Sequence, residues 1–234
     1  LVNDIPIGTN VSKGQSIKSL IAMETNENPT IIYSIYRDTD AKYVLFVTKN
    51  GLVKKTTLEE YVKTKKKTGI AAITLKEGDS LAAVSLIKDE PIVLVSADGI
   101  VINFNSSEIT ATSRATSGVK GIALKDGDSV IAALPVRNKS DDLAVFSETG
   151  LGKKMKLAEF ISQKRGGKGL IGYKGTSATG PLVGAALVAD DDTILFVGDK
   201  NSICTNATEI PLLSRTSIGN QMIKTNKLMS VSKI

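Results

Sequence analysis

Apolar and polar positions along this chain alternate on the scale of strands rather than helices. Tyr43 to Val47 is an apolar run, Thr48 to Gly51 a polar interruption, and Leu52-Val53 a second apolar start ahead of Lys54-Lys55. An apolar run, a turn carrying Asn50-Gly51 and a second run read as a β-hairpin, because Asn-Gly is the strongest short hairpin signal. The same wording returns at Ile92 to Val101 around Gly99, at Leu143 to Lys154 around Gly150, and at Ile194 to Ile203 around Asn201. The four turn residues lie 48, 51 and 51 positions apart. Each turn is followed 18 or 19 residues later by another glycine: Gly69, Gly118, Gly169 and Gly219. Then come a β-type run (Ile70 to Ile73, Val119 to Leu124, Met222-Ile223) and a polar turn such as Glu77-Gly78-Asp79 or Asp126-Gly127-Asp128. A last strand closes the unit: Leu81 to Leu86, Val130 to Val136, Leu182 to Val188, Leu228 to Val231. Four short strands in about 50 residues are the size of one propeller blade. Helical spacing is weak; Leu58 to Lys67 and Leu157 to Lys164 are short, run into glycine, and predict at most a turn of helix.

Asp4-Ile5 precedes Gly14 as Glu108-Ile109 precedes Gly118 and Glu209-Ile210 precedes Gly219. Residue 1 therefore falls inside a unit. The pattern predicts an all-β chain in which residues 1–234 form a single propeller-like disc of about five four-stranded blades. The first blade is truncated, as in a fragment of a longer chain. Thr25 to Pro29 and Asp38 to Asp40 are the most linker-like stretches and sit between units, so no domain boundary is expected.

Composition narrows the chemistry. Histidine is absent and Cys204 is the only cysteine. That excludes Ser-His-Asp and Cys-His catalysis, histidine-containing zinc sites and thiolate clusters, and it fits a reducing compartment. No phosphate-binding loop of the GxxxxGK[ST] type occurs. Catalytic and metal-binding residues are therefore expected to be none. No apolar run is long enough to span a membrane and no charged-then-apolar leader opens the chain. Aromatics are 4% with no Trp, too few for platforms that stack single-stranded bases. A net charge of +6 permits nucleic-acid binding without demanding it.

What gives that charge meaning is its place in the repeat. Before each second glycine lies a heptad: Gln163-Lys164-Arg165-Gly166-Gly167-Lys168-Gly169 in one unit and Lys63 to Gly69, with Lys63, Lys65, Lys66 and Lys67, in another. Elsewhere it is Thr112 to Gly118 with Arg114, Leu213 to Gly219 with Arg215, and Gly8 to Gly14 with Lys13. Every copy carries a cation and none an acid, although the chain has 24 acids. One repeat position lies on one side of a disc, so these cations should make a basic perimeter for a bent polyanion. Glycines would let a partner approach the backbone and offer it N–H groups. Lys54, Lys55, Lys153 and Lys154 follow the hairpin turns and should widen the track, unless they only guard exposed strand edges. Tyr33, Tyr36, Tyr43, Tyr61 and Tyr173 read as core or strand residues.

The sequence Gln163 to Gly169 resembles the signature box of the C-terminal domain of the bacterial DNA gyrase A subunit. Leu45 to Thr56 and Gly121 to Asp128 are similar to the same domain, and the resemblance covers the whole chain. It implies a β-pinwheel whose blades exchange a strand, with double-stranded DNA bent around its basic edge largely without regard to sequence. It implies partners in the N-terminal part of the same polypeptide and in the B subunit, which is the ATPase. ATP and Mg2+ would be bound in other domains, with no cofactor in this one. A monomeric domain in a bacterial cytoplasm, associated with the nucleoid, completes that picture. The box stands in the second-last unit rather than the first, and Lys63 to Gly69 looks like a degenerate copy. The topoisomerase IV A subunit, which has degenerate boxes, thus stays open as an alternative within the family. A propeller-type protein-interaction module remains a second reading, although no WD dipeptide or kelch-type double glycine supports it. An enzyme with a site in the disc is a distant third, for want of histidine.

Overall fold

The computed structural model describes residues 5–9, 11–24, 27–36, 38–63 and 69–234. Its first strands are β1 (Tyr43–Thr48), β2 (Leu52–Thr57), β3 (Leu81–Ile87), β4 (Pro91–Ser96) and β5 (Ile100–Asn105). They are followed by β6 (Val119–Lys120), β7 (Val130–Pro135), β8 (Asp142–Ser147), β9 (Leu151–Lys156) and β10 (Leu170–Ile171). The last are β11 (Leu182–Val188), β12 (Thr193–Gly198), β13 (Ser202–Asn206), β14 (Asn220–Gln221) and β15 (Leu228–Lys233). Among the described residues, two four-residue helices, α1 (Ile17–Leu20) and α2 (Glu59–Val62), and single 3-10 turns such as Leu157–Glu159 are the helical content, as the weak 3.6-residue spacing predicted.

All four hairpins form: β1–β2, β4–β5, β8–β9 and β12–β13. Their turns do not have both central residues left-handed. Among the described residues no non-glycine has positive φ, whereas Gly51, Gly99 and Gly150 sit at +81°, +83° and +82°. A turn with only its last residue left-handed suits all three units, because Asp98 and Thr149 replace Asn50. The buried hydroxyls of Thr48, Ser96 and Ser147 accept from the N–H of Leu52, Ile100 and Leu151 and tie each turn shut. Asp79 and Asp128, predicted only as turn acids, cap the hairpins by accepting from the N–H of Asn50 and Asp98.

The first three hairpins are each completed on one side by their own unit and on the other by the next, and the fourth by its own unit alone. The sheets run β3-β1-β2-β6, β7-β4-β5-β10, β11-β8-β9-β14 and β15-β12-β13. Thus β6, β10 and β14 pair with the hairpin of the preceding unit, a strand exchange that makes a single unit incomplete. These exchanged strands are two residues long, shorter than the predicted runs, and the third lies at Asn220–Gln221 instead of Met222-Ile223. The reason is local. After two residues the chain crosses the neighbouring turn, and Gly121, Gly172 and Met222 donate to the carbonyls of Gly51, Gly99 and Gly150 rather than to a ladder. Ile70 to Ile73 forms no strand. Before β1 the described residues hold only α1 and irregular chain, so four sheets stand where about five blades were predicted.

Strands β3, β7, β11 and β15 pack in succession against one another and form the hub, which leaves β6, β10 and β14 at the rim. Apolar clusters fill the space between successive sheets. Leu45, Val53, Leu94, Phe104 and Ile122 lie between the first and second, Val93, Val145, Met155, Phe160 and Tyr173 between the second and third, and Phe146, Phe196, Ile210 and Ile223 between the third and fourth. Both faces of a sheet are covered, which explains why the strands read as continuous apolar runs. Of the tyrosines, Tyr173 is core and Tyr43 lies in β1, whereas Tyr33 and Tyr36 are exposed and outside any strand, contrary to their predicted place.

Candidate nucleic-acid interface

Three of the heptads, residues 112–118, 163–169 and 213–219, are arches on the rim and share one geometry. The first heptad residue donates its N–H to the strand of the preceding unit: Thr112 to Lys55, Gln163 to Asn103, and Leu213 to Lys154, at 3.0, 2.8 and 2.9 Å. The closing glycine returns to the same strand two residues nearer the turn. There Gly118, Gly169 and Gly219 take φ of +86°, +68° and +87°. A Cβ at these positions would lie 2.7, 2.6 and 2.5 Å from the carbonyls of Val53, Val101 and Gly152. Glycine is required by the strand beneath and by positive φ together. Between the two anchors Ser113, Ala115, Lys164, Lys168, Ser214 and Thr216 are exposed, while Arg114, Arg165 and Arg215 are half-buried.

The box arch is held more closely than the others. Gly166 donates to Gly121 at 2.7 Å, Ala123 donates to Gly167 at 2.9 Å, and Gly167 donates to Lys164. The Arg165 N–H reaches a Glu108 carboxylate oxygen at 2.9 Å, its Nε the Glu108 carbonyl at 3.3 Å, and its terminal nitrogen the Lys120 carbonyl. The N–H groups of Gln163, Arg165, Gly166 and Gly167 are therefore engaged within the protein. They are not offered to an anion, as the sequence suggested. The paired glycines instead allow the arch to lie flat on the chain of the preceding unit.

The predicted cations divide accordingly. Lys164 and Lys168 are exposed, as is Lys120 beside them on β6, and none has a side-chain partner among the described residues. Lys120 escapes a search for cations within the heptads because it follows them; the strand exchange is what brings it to the box. Lys13 and Lys63 are exposed, and Lys63 is 2.7 Å from Glu59. Lys65, Lys66 and Lys67 lie outside the described residues. Arg114 and Arg215 are half-buried and face carboxylates of the preceding unit, Glu60 at 3.4 Å and Glu159 at 3.7 Å, so they are not free perimeter charges.

Lys54, Lys55, Lys153 and Lys154 do not widen the track, because each is at most 7% exposed. Lys54 Nζ donates to Thr56 Oγ1 and the Ala72 carbonyl, and Lys55 Nζ to the Ser106 carbonyl. Lys153 Nζ donates to the carbonyls of Ser214 and Arg215, both at 2.7 Å, and burial pushes its ammonium down to about 8. Lys154 pairs with Asp190 at 3.0 Å. Their stems are buried while their amines meet carbonyl, hydroxyl or carboxylate oxygens. A sequence signal for this existed: Ile102 occupies the position of Lys54 and Lys153, three residues after the turn glycine.

A family profile described as DNA gyrase C-terminal domain, beta-propeller, matches residues 42–88, 90–137, 141–189 and 203–227. The DNA gyrase A subunit of Lawsonia intracellularis is 34% identical over 227 residues, which are 95% of this chain and 28% of that protein. The chain thus spans little more than a quarter of that curated relative. A solved C-terminal domain of DNA topoisomerase IV superposes with a TM-score of 0.87 at 30% identity, covering 94% of this chain and 70% of the other. A solved DNA gyrase A C-terminal domain gives 0.85 at 29%, covering 95% and 75%. With a box arch, exchanged strands and matches along most of its length, the chain belongs to the family of DNA gyrase C-terminal domains.

Proposed function

We propose that this chain is the DNA-binding and DNA-wrapping domain of a type IIA DNA topoisomerase and carries out no bond chemistry itself. Duplex DNA follows the rim and bends over successive arches, held by phosphate contacts rather than base readout. The observation that carries the reading is the rim cluster of Lys120, Lys164 and Lys168, three exposed ammonium groups without a carboxylate partner among the described residues. Gln163, Gly166, Gly167 and Gly169 shape the arch that presents two of them, and Lys13, Lys63 and Lys65 to Lys67 are proposed as further phosphate contacts from their place in the repeat alone. Bending a 20–30 base-pair segment costs about 1–6 kcal/mol on smooth elastic estimates, so many such contacts act together.

In the whole enzyme the bent duplex would be presented to ATP-driven strand passage carried out elsewhere, by the N-terminal part of the same polypeptide and a separate B subunit that hydrolyses ATP with Mg2+. The intact box and the relative named as a gyrase A subunit favour a gyrase over a topoisomerase IV, in a bacterial cytoplasm. The chain bound to relaxed circular DNA, which is then relaxed again by a type I enzyme, should leave a linking change that grows with protein bound. A linking number identical to the protein-free control overturns the wrapping. A pull-down whose protein partners all survive nuclease treatment would favour an interaction module instead.

A further inference from the structure

The third residue of three successive heptads is arginine: Arg114, Arg165 and Arg215. Each meets a glutamate that stands nine residues after the turn glycine of the preceding unit. Arg114 faces Glu60 and Arg215 faces Glu159 through side-chain ion pairs. Arg165 engages Glu108 through its backbone N–H on the carboxylate and its Nε on the carbonyl. The local structure presents these glutamates in the same way. Glu60 lies in α2, and Glu108 and Glu159 each end a 3-10 turn directly after the second hairpin strand. The contacts run in one direction around the rim, each arch reaching back to the unit before it. By sequence all three arginines read as cations for DNA, but a guanidinium whose N–H groups are already taken by carboxylate or carbonyl oxygens has fewer donors left for a phosphate. Its planar fork is suited to holding two chain segments at a set distance.

We infer that Arg114, Arg165 and Arg215 are positioning residues. They fasten each arch to the preceding blade and so set the spacing and tilt of the lysines that meet DNA, while making no phosphate contact of their own. Arg165 does this most fully, because its guanidinium also reaches the carbonyl of Lys120 and thereby fixes the two halves of the exposed lysine cluster relative to each other. The DNA side of this inference rests on the function proposed above; the fastening itself does not.

The two roles differ in sign and in dependence on shape. Arg165→Lys keeps the charge but cannot span the carbonyls of Glu108 and Lys120. A phosphate contact would tolerate it, and a fastener would not. Glu159→Gln removes a negative charge from the rim. If Arg215 touched phosphate, this change should tighten DNA binding; if Arg215 is a fastener, DNA bending should fall, as it should in Arg215→Gln. The first measurement needs no DNA. Amide exchange at Gly166 and Ala123, whose hydrogen bonds join the box arch to residues 121–123, should quicken roughly tenfold in Arg165→Lys. The second is a salt titration of DNA binding with a bend-angle assay. Arg165→Lys and Arg165→Gln should both lower the bend angle and leave the salt slope unchanged, whereas Lys164→Gln should reduce the slope by about 1. Unchanged exchange in Arg165→Lys overturns the inference whether or not the chain binds DNA. So does a slope reduced by about 1 in Arg165→Gln but not in Arg165→Lys. If exchange quickens as expected while the unaltered chain fails to bend DNA, the proposed function falls and the fastening stands.

Discussion

Lys153 shows how a single residue can be misread from its neighbours in sequence. In the tract Gly152-Lys153-Lys154-Met155-Lys156 it looks like a solvated basic edge, yet it is fully buried among the carbonyls of the next unit's arch. The unfolded chain holds a proton on this amine up to about 10.5 and the folded chain only to about 8. Between those values the unfolded state binds more protons, so stability rises as pH increases through this window. The unfolding free energy relative to Lys153→Met should climb by on the order of 1–3 kcal/mol from pH 8 to 10.5, followed by denaturant midpoints. A difference that stays flat across that range would mean that the amine titrates normally in the fold. Lys54 is drawn down in the same direction, chiefly by loss of water, and belongs to the same class of internal lysine.

At the scale of the element, the arch is a loop anchored twice on one strand, and its closing glycine is the tightest point. Gly169 combines φ of +68° with a site for Cβ only 2.6 Å from the Val101 carbonyl. Gly69 has a similar φ of +73° with nothing within 4 Å. Alanine at Gly69 should cost about 1 kcal/mol for the backbone conformation alone. Alanine at Gly169 should cost that plus about 1–3 kcal/mol more, because β5 must give way beneath it. Thermal unfolding of the two variants side by side tests this, and equal losses would remove the close approach as the reason for glycine at Gly169.

The whole molecule couples its units through exchanged strands, parallel anchors and arginine contacts, so the rim behaves as one surface whose cations act together. If roughly 6–10 phosphates are neutralised along it, affinity should drop by about 10³–10⁵ between 50 and 200 mM salt. A filter-binding titration with a flat salt response would contradict a phosphate-following path. Within that response Lys164→Ala with Lys168→Ala should reduce the salt slope by about 2, and Lys54→Ala with Lys153→Ala should destabilise the chain instead, since those amines face carbonyls and not solvent.

The repeat, the hairpins, the hub strands and the near absence of helix were legible in the sequence. They depend on local pattern: apolar runs of strand length and a glycine where the chain must turn left-handed. The box was legible too, as an acid-free heptad at a constant place in each unit. Three things were decided only by tertiary structure. The outer strand of each blade shrank to two residues, because hydrogen bonding to the neighbouring turn displaced the ladder. The lysines after the hairpins went inside, because oxygens distant in sequence meet their amines there: arch carbonyls for Lys153, the Ala72 and Ser106 carbonyls for Lys54 and Lys55, and the Asp190 carboxylate for Lys154. The arginines turned back toward glutamates in the preceding unit, since strand exchange sets consecutive units edge to edge. In each case the partner is distant in sequence and mostly comes from another unit, and residue identity along the chain cannot say which segment will lie across which.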